Sequence, residues 1–315
     1  MKNYILISCF LLISSVAVAQ QKALYSQYMT NYYLLNPAVA GVDKDWNIKA
    51  GYRNQWTGFE GAPKTYYLSA ETALFKRTIR SRRVQPYHGV GGYVYTDQTG
   101  PITQTGLQLS YAHHVPINRS IYFSSGLFAG VQQYRFDENK IHLAEGSNER
   151  DPVTQQGSLN AFMPDLSVGA YLHSEEFYAG ASLFQVLGNK IMKNKGVEDP
   201  SRLSRHLFIS GGYNIDVNRN ITVTPSVLIK HVNPAPVQAD FNVRGAYHFT
   251  NRRKSKYDDM LWAGISYRTQ DAIVGLAGIQ LKQQYQLSYT YDITISPMRH
   301  HSAGSHEIVL GLRMP

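Results

Sequence analysis

The stretch Gln284 to Ser296, QYQLSYTYDITIS, alternates without one exception. Tyr285, Leu287, Tyr289, Tyr291, Ile293 and Ile295 stand on one side, and Gln284, Gln286, Ser288, Thr290, Asp292, Thr294 and Ser296 on the other. A repeat of two is the side-chain period of a strand, so the segment predicts a strand with one apolar, aromatic face and one polar face. The same register runs through Val237, Ala239, Phe241, Val243, Gly245, Tyr247 and Phe249 against Gln238, Asp240, Asn242, Arg244, Ala246 and His248, and again through Ile221, Val223, Val227 and Ile229.

Working outward, segments of this kind fall at 47–56, 64–75, 87–97, 102–115, 120–136, 165–174, 176–186, 203–215, 219–231, 237–250, 258–269, 271–281, 284–296 and 304–314. Strands of about ten residues are what a tilted strand needs to cross a bilayer, and are longer than the usual five or six of soluble sheets. An even count lets an antiparallel sheet close with both ends on one side, and closure removes the unpaired edges that hydrocarbon does not tolerate. The expected fold is therefore all-β: a transmembrane antiparallel β-barrel of about 14 strands over residues 47–315, with short periplasmic turns and longer extracellular loops. A soluble all-β protein would need the second face of these long strands to meet water. Trp46, Trp56, Tyr66, Tyr67, Tyr87, Tyr93, Tyr95, Tyr134, Tyr247 and Tyr267 recur near strand ends, where an interfacial aromatic girdle would put them.

The first 19 residues read as a secretory signal peptide: Lys2 as charged head, an apolar run from Tyr4 to Val16, and Ala17-Val18-Ala19 before the cut. This is the only long apolar run, which excludes a helical membrane bundle. The single cysteine, Cys9, leaves with the signal, so neither disulfides nor a thiolate zinc site are available to the exported chain. The formal charge of +9 gathers at Lys76, Arg77, Arg80, Arg82 and Arg83 and at Arg252, Arg253, Lys254 and Lys256. Export argues against nucleic acid as the partner. With both ends of the barrel periplasmic, these clusters are periplasmic turns, and Arg80, Arg82, Arg83, Arg252, Arg253 and Lys254 are candidate docking residues.

Candidate chemistry is sparse. His113-His114 and His300-His301 invite a metal reading, but neighbours on a strand point to opposite faces and do not chelate together. No G-x-S-x-G elbow singles out a serine nucleophile. Gly89-Val90-Gly91-Gly92 lacks the following helix and lysine of a phosphate loop, and reads as strand glycines that permit close approach. No catalytic, cofactor or metal residue is expected. Glu71, Lys230, Asp240, Arg244, Arg268, Asp292 and Arg313 lie on polar faces and would project into a lumen. Residues 20–46 precede the sheet and form a periplasmic or plug segment; its aromatic run from Tyr28 to Leu35 should pack in the barrel mouth or on a partner.

SQYMTNYYLLNPAVAG at Ser26 to Gly41 resembles the S-Q-Y-M-x-N-x-x-x-x-N-P-A-x-A-G opening of the PorP/SprF family of type IX secretion system outer-membrane proteins. RNQWTGFEGAPKT at Arg53 to Thr65 is similar to that family's R-x-Q-W-x-G-x-x-G-A-P-x-T, and GGYVYTDQTGP at Gly91 to Pro101 to its G-x-x-x-x-x-D-x-x-G-P. The resemblance marks Asn36, Pro37, Gly41, Arg53, Gln55, Trp56, Gly61, Ala62, Pro63, Asp97 and Gly100 as motif and candidate partner-binding residues. One departure is the final strand, which ends at Met314-Pro315 without the aromatic residue of many outer-membrane barrels. What the resemblance implies is a non-enzymatic outer-membrane component that assists secretion or surface display of an adhesin, in gliding or attachment. Its implied partners are other secretion subunits, the sorting domain of a secreted adhesin, and outer-membrane lipid. A passive diffusion porin is the alternative.

Overall fold

The computed structural model describes residues 25–74, 85–137, 159–189, 203–249 and 259–314. Its strands are β1 (Trp46–Asn54), β2 (Lys64–Leu74), β3 (Tyr87–Thr99), β4 (Ile102–Pro116), β5 (Tyr122–Phe136), β6 (Leu159–His173), β7 (Phe177–Phe184), β8 (His206–Tyr213, resuming at Ile215–Asp216), β9 (Ile221–Val232), β10 (Gln238–His248), β11 (Met260–Arg268), β12 (Ala272–Leu281), β13 (Tyr285–Thr294) and β14 (Ser305–Met314). The fourteen strands form one closed antiparallel barrel. Each pairs with its sequence neighbour, and β14 returns to β1 in the register Trp46↔Met314 to Asn54↔His306. Among the described residues no helix is long and apolar enough to cross a membrane; the crossing is made by strands.

The alternation that predicts the strands is realised inside out. In β13, Tyr285, Leu287, Tyr289, Tyr291 and Ile293 are exposed, while Ser288, Thr290, Asp292 and Thr294 are buried. Around the wall, Leu109, Val131, Phe162, Phe241, Ile265 and Leu310 also point outward, and Ser110, Gln132, Asp165, Asn242, Ser266 and Glu307 point inward. A polar interior and an apolar exterior make a stable surface only against hydrocarbon.

The expected girdle is half correct. Trp46, Tyr66, Tyr247 and Tyr267 lie on the outside near strand ends, but Tyr67, Tyr93, Tyr95 and Tyr134 are buried in the lumen. Tyr66 and Tyr67 are chain neighbours on β2 and must face opposite ways. Tyr87 also faces inward and stacks on His114, ring centroids 4.2 Å apart.

Two ends can be distinguished. The proximal end carries the start of β1, the end of β14 and the short connections 117–121, 174–176, 217–220 and 282–284. The distal end carries the β1–β2 loop at 55–63, the β13–β14 loop at 295–304, and the strand ends Phe136, Leu159, Phe184 and His206. The expected signal peptide and both basic clusters, with the candidate docking residues Arg80, Arg82, Arg83, Arg252, Arg253 and Lys254, lie outside the described residues.

Candidate functional site

The lumen is filled by the chain's own residues 25–42. Short 3-10 turns at Tyr28–Thr30, Tyr32–Leu34 and Pro37–Val39 keep this segment compact. Asn36 and Pro37 account for the last of these: Pro sits at the first helical position with its φ preset, and the Asn36 side chain caps the turn by accepting from the Ala38 N–H at 2.9 Å. The other end of the same amide donates to the β6 carbonyl of Ala170 at 2.9 Å, so one side chain both closes the turn and docks it on the wall.

The wall is shaped to receive it. A Cβ at Gly89 would lie 1.8 Å from the Ala40 carbonyl oxygen, and one at Gly169 would lie 2.1 Å from Asn36 Oδ1. Gly41 has φ +80°, and its N–H donates to the Glu71 carboxylate, which also accepts from Asn47 at 3.1 Å. His114 donates from Nε2 to the Ala40 carbonyl at 2.8 Å while its Nδ1 meets Ser124 Oγ at 2.6 Å. His113 is on the opposite face of β4 beside His88, centroids 4.8 Å apart, as strand geometry requires. Among the described residues no group of three or more His, Asp or Glu is placed to hold a metal ion.

Midway, the plug meets aromatic side chains from the wall. Tyr33 packs edge-on against Phe128 at 5.3 Å and Tyr93 at 6.2 Å, and its hydroxyl bonds to Ser110 Oγ at 2.8 Å. Phe128 continues to Phe184, and Phe184 to Phe208. Asn31 donates to Ser69 Oγ at 3.1 Å, and Lys49 to the Thr30 carbonyl.

At the distal end the plug is fixed by charge. Ser26 donates its N–H to Glu307 Oε2 at 2.7 Å and its hydroxyl to Asp292 Oδ2 at 2.6 Å. The same hydroxyl accepts from Arg53 and, at 3.0 Å, from Arg268. Arg53 pairs with Asp292 at 2.8 Å and Glu307 at 3.2 Å; Arg268 pairs with Asp271 at 3.2 Å, Asp292 at 3.3 Å and Asp240 at 3.4 Å; and Lys230 pairs with Asp240 at 2.9 Å. Arg53, Arg268, Asp292, Asp240 and Glu307 are all at most 1% exposed. Buried charges survive when paired and hydrogen-bonded, and breaking one partner out of such a group leaves an uncompensated charge.

The remaining motif residues stand on the rim above this cluster. Gln55 donates its backbone N–H to Pro63 O at 2.9 Å, closing the β1–β2 loop. Trp56 N–H donates to Ser305 Oγ at 3.0 Å, and Thr57 N–H to Gly304 O at 2.7 Å, tying that loop to β13–β14. Gly100 N–H reaches Gly61 O at 2.8 Å, both glycines with positive φ, and Ala62 N–H donates to Phe59 O. Asp97 accepts from Thr65 Oγ1 at 2.6 Å. Phe59 stands exposed at the loop tip. Beside the rim lies a cavity of about 270 Å³, lined by Trp56, Phe208, Lys230, His231 and Val237 among others. The motif residues Asn36, Pro37 and Gly41 thus gather at the proximal part of the plug, and Arg53, Gln55, Trp56, Gly61, Ala62, Pro63, Asp97 and Gly100 at the distal end. Ser26 and Glu307 escape the sequence reading as site residues. Glu307 had a signal, since it alternates with His306 and Ile308 on β14.

An apolar exterior, a closed hydrogen-bonded wall and a lumen occupied by its own leading segment define a plugged outer-membrane β-barrel. Over residues 17–312 the chain matches the family described as type IX secretion system membrane protein PorP/SprF, and it belongs to that family. Solved structures with the same kind of fold include the toluene transporter TbuX of Ralstonia pickettii, at 10% identity and TM-score 0.52, covering 91% of this chain and 93% of that one. The Pseudomonas putida toluene transporter TodX is 10% identical with TM-score 0.48, covering 90% and 92% of the two chains. A Pseudomonas aeruginosa FadL homologue is 9% identical with TM-score 0.45, covering 85% and 88%. A comparison with curated proteins found no match. The protein is an outer-membrane protein.

Proposed function

We propose that this barrel is a non-enzymatic component of the type IX secretion apparatus that assists the secretion or surface display of a cognate adhesin. The observation that carries the reading is the pairing of family membership with a lumen filled by residues 25–42. A barrel whose bore is held shut by hydrogen bonds and buried ion pairs has its rims and loops left for work. In this reading the distal end faces outward, and its rim, with the exposed Phe59 and the cavity beside Trp56, receives the sorting domain of the adhesin. The proximal turns contact other secretion subunits. In this reading residues 25–42 serve to fill the bore and the turns make the contacts.

Deleting the gene is expected to abolish surface appearance of one large adhesin while leaving outer-membrane permeability to small solutes unchanged. Normal adhesin display in the deletion strain overturns the proposal. The passive-porin alternative makes the opposite demand on the purified barrel, a steady single-channel conductance in a planar bilayer.

A further inference from the structure

The plug sits off centre. Gly89 on β3, Gly126 on β5 and Gly169 on β6 each lack a Cβ that would strike Ala40, Ala38 or Asn36, so on that side the plug lies directly on the wall. Gly211 and Gly212 on β8 and Gly245 on β10 face Tyr178 or Ala263 of the wall instead. The β8–β10 sector, across the lumen from the close contact, keeps two cavities. The distal one, of about 270 Å³, reaches Phe208, Lys230 and Gln238. The proximal one, of about 280 Å³, is lined by Met29 and Tyr32 of the plug and by Asn214, Thr224, Ser226 and Arg244 of the wall. Strand parity shows how little separates them. Along β9 the inward residues run Thr224, Ser226, Leu228, Lys230, of which Ser226 lines the proximal cavity and Lys230 the distal one, so on that strand Leu228 alone stands between. Four residues at roughly 3.3 Å each put Ser226 and Lys230 about 13 Å apart along the strand. On β10 the residues between the cavities are Asp240 and Asn242. The plug completes this layer with Tyr28, which is buried and whose hydroxyl accepts from Asn242 Nδ2. Asn242 Oδ1 is buried without a partner among the described residues, so the amide is held from its nitrogen alone.

We infer that the barrel carries a second, latent activity: a conduit for small hydrophilic solutes along β8–β10, closed by one layer of side chains made of Leu228 and Tyr28 and latched by Asn242. The chemistry of the lining sets the solute class. On either side of the layer stand amides, hydroxyls and charges, at Asn214, Thr224, Ser226 and Arg244 below and at Lys230 and Gln238 above, which suit water, ions and small polar molecules. The layer itself sets a short apolar constriction between two polar vestibules, and such a constriction closes a pore by excluding water. Opening it requires Tyr28 to part from Asn242. It leaves Ser26 on Arg53 and Glu307, Asn36 on Ala170 and Gly41 on Glu71, so the conduit opens with the plug still anchored at both ends. The inference goes beyond adhesin display and is independent of what the rim binds.

The test is single-channel recording of the purified protein in planar bilayers with potassium chloride, heat-modifiable gel migration showing that each variant is a folded barrel. The native chain is expected to stay closed. Leu228→Ala thins the layer from the wall and Tyr28→Ala from the plug, and each should give steady current steps, larger when the two are combined. Phe128→Ala removes a buried aromatic ring on β5, where the plug lies against the wall, and should stay as closed as the native chain. Tyr28→Phe removes only the hydroxyl and serves if neither alanine variant folds: it should show brief openings that the native chain lacks. Silence of either alanine variant in a folded barrel overturns the inference, as do steps of equal size from Phe128→Ala, steady conductance of the native chain, or a Tyr28→Phe record without openings.

Discussion

Arg53 is the residue on which the distal half of the plug depends, because its guanidinium touches the plug at Ser26 and two wall carboxylates at once. Replacing it by Met leaves Asp292 and Glu307 facing each other in a closed interior with one cation fewer. The expected loss is about 3–5 kcal/mol in denaturant unfolding of the detergent-solubilised barrel, the cost of breaking a buried pair. Adding Asp292→Asn and Glu307→Gln to the same chain should recover part of that loss; no recovery would mean that the charges are not the cause. Gly89 makes a different demand, for room. Gly89→Val puts a branched side chain where Ala40 O stands and should push the proximal plug off the wall, seen as faster hydrogen exchange at residues 38–41 with the strands unchanged. At this scale the sequence was partly legible. The polar parity of Asp292, Arg268, Asp240 and Lys230 places them inside from alternation alone. That they join in one ion-paired group, with Asp292 and Arg268 reaching Ser26, was not legible, because they come from β9, β10, β11 and β13 and meet only through the register of those strands.

Among the elements, the strands were the most legible and the plug the least. A period of two survives as long as one face meets lipid and the other does not, so even the broken strand β8, interrupted at Asn214, reads as one segment. The aromatic residues misled for a physical reason: Tyr and Phe suit a lipid headgroup boundary and suit the side of a plug that is itself rich in Tyr. Tyr67, Tyr93 and Tyr95 serve the second purpose. The plug had no periodicity to read, since its short turns are set by capping at Asn36 and by the shape of the wall. Its removal is the direct test of its role. Deleting residues 25–42 should turn a barrel with no steady conductance into one with a measurable open pore. A wild-type barrel that already conducts as well as the deletion variant would show that the segment does not seal the bore.

For the molecule as a whole, the inside-out distribution of side chains sets the solvent it needs. The exterior rows of Leu, Val, Ile, Phe and Tyr on every wall strand form an apolar surface far larger than soluble monomers carry. Diluting the purified protein below the micellar concentration of its detergent should produce aggregation, measured by light scattering, and a monodisperse sample under those conditions would contradict the membrane fold. The order in which the chain is made also acquires meaning from one feature, the join of β14 to β1 with residues 25–42 already inside. β14 comes thirteen strands after β1 in the chain and shuts the cylinder against it around residues 25–42, as a welded seam closes a pipe around a rope. The seat of Ser26 straddles that seam, with Arg53 on one side and Glu307 on the other, so the place that holds the start of the plug is complete only once the two edges have met.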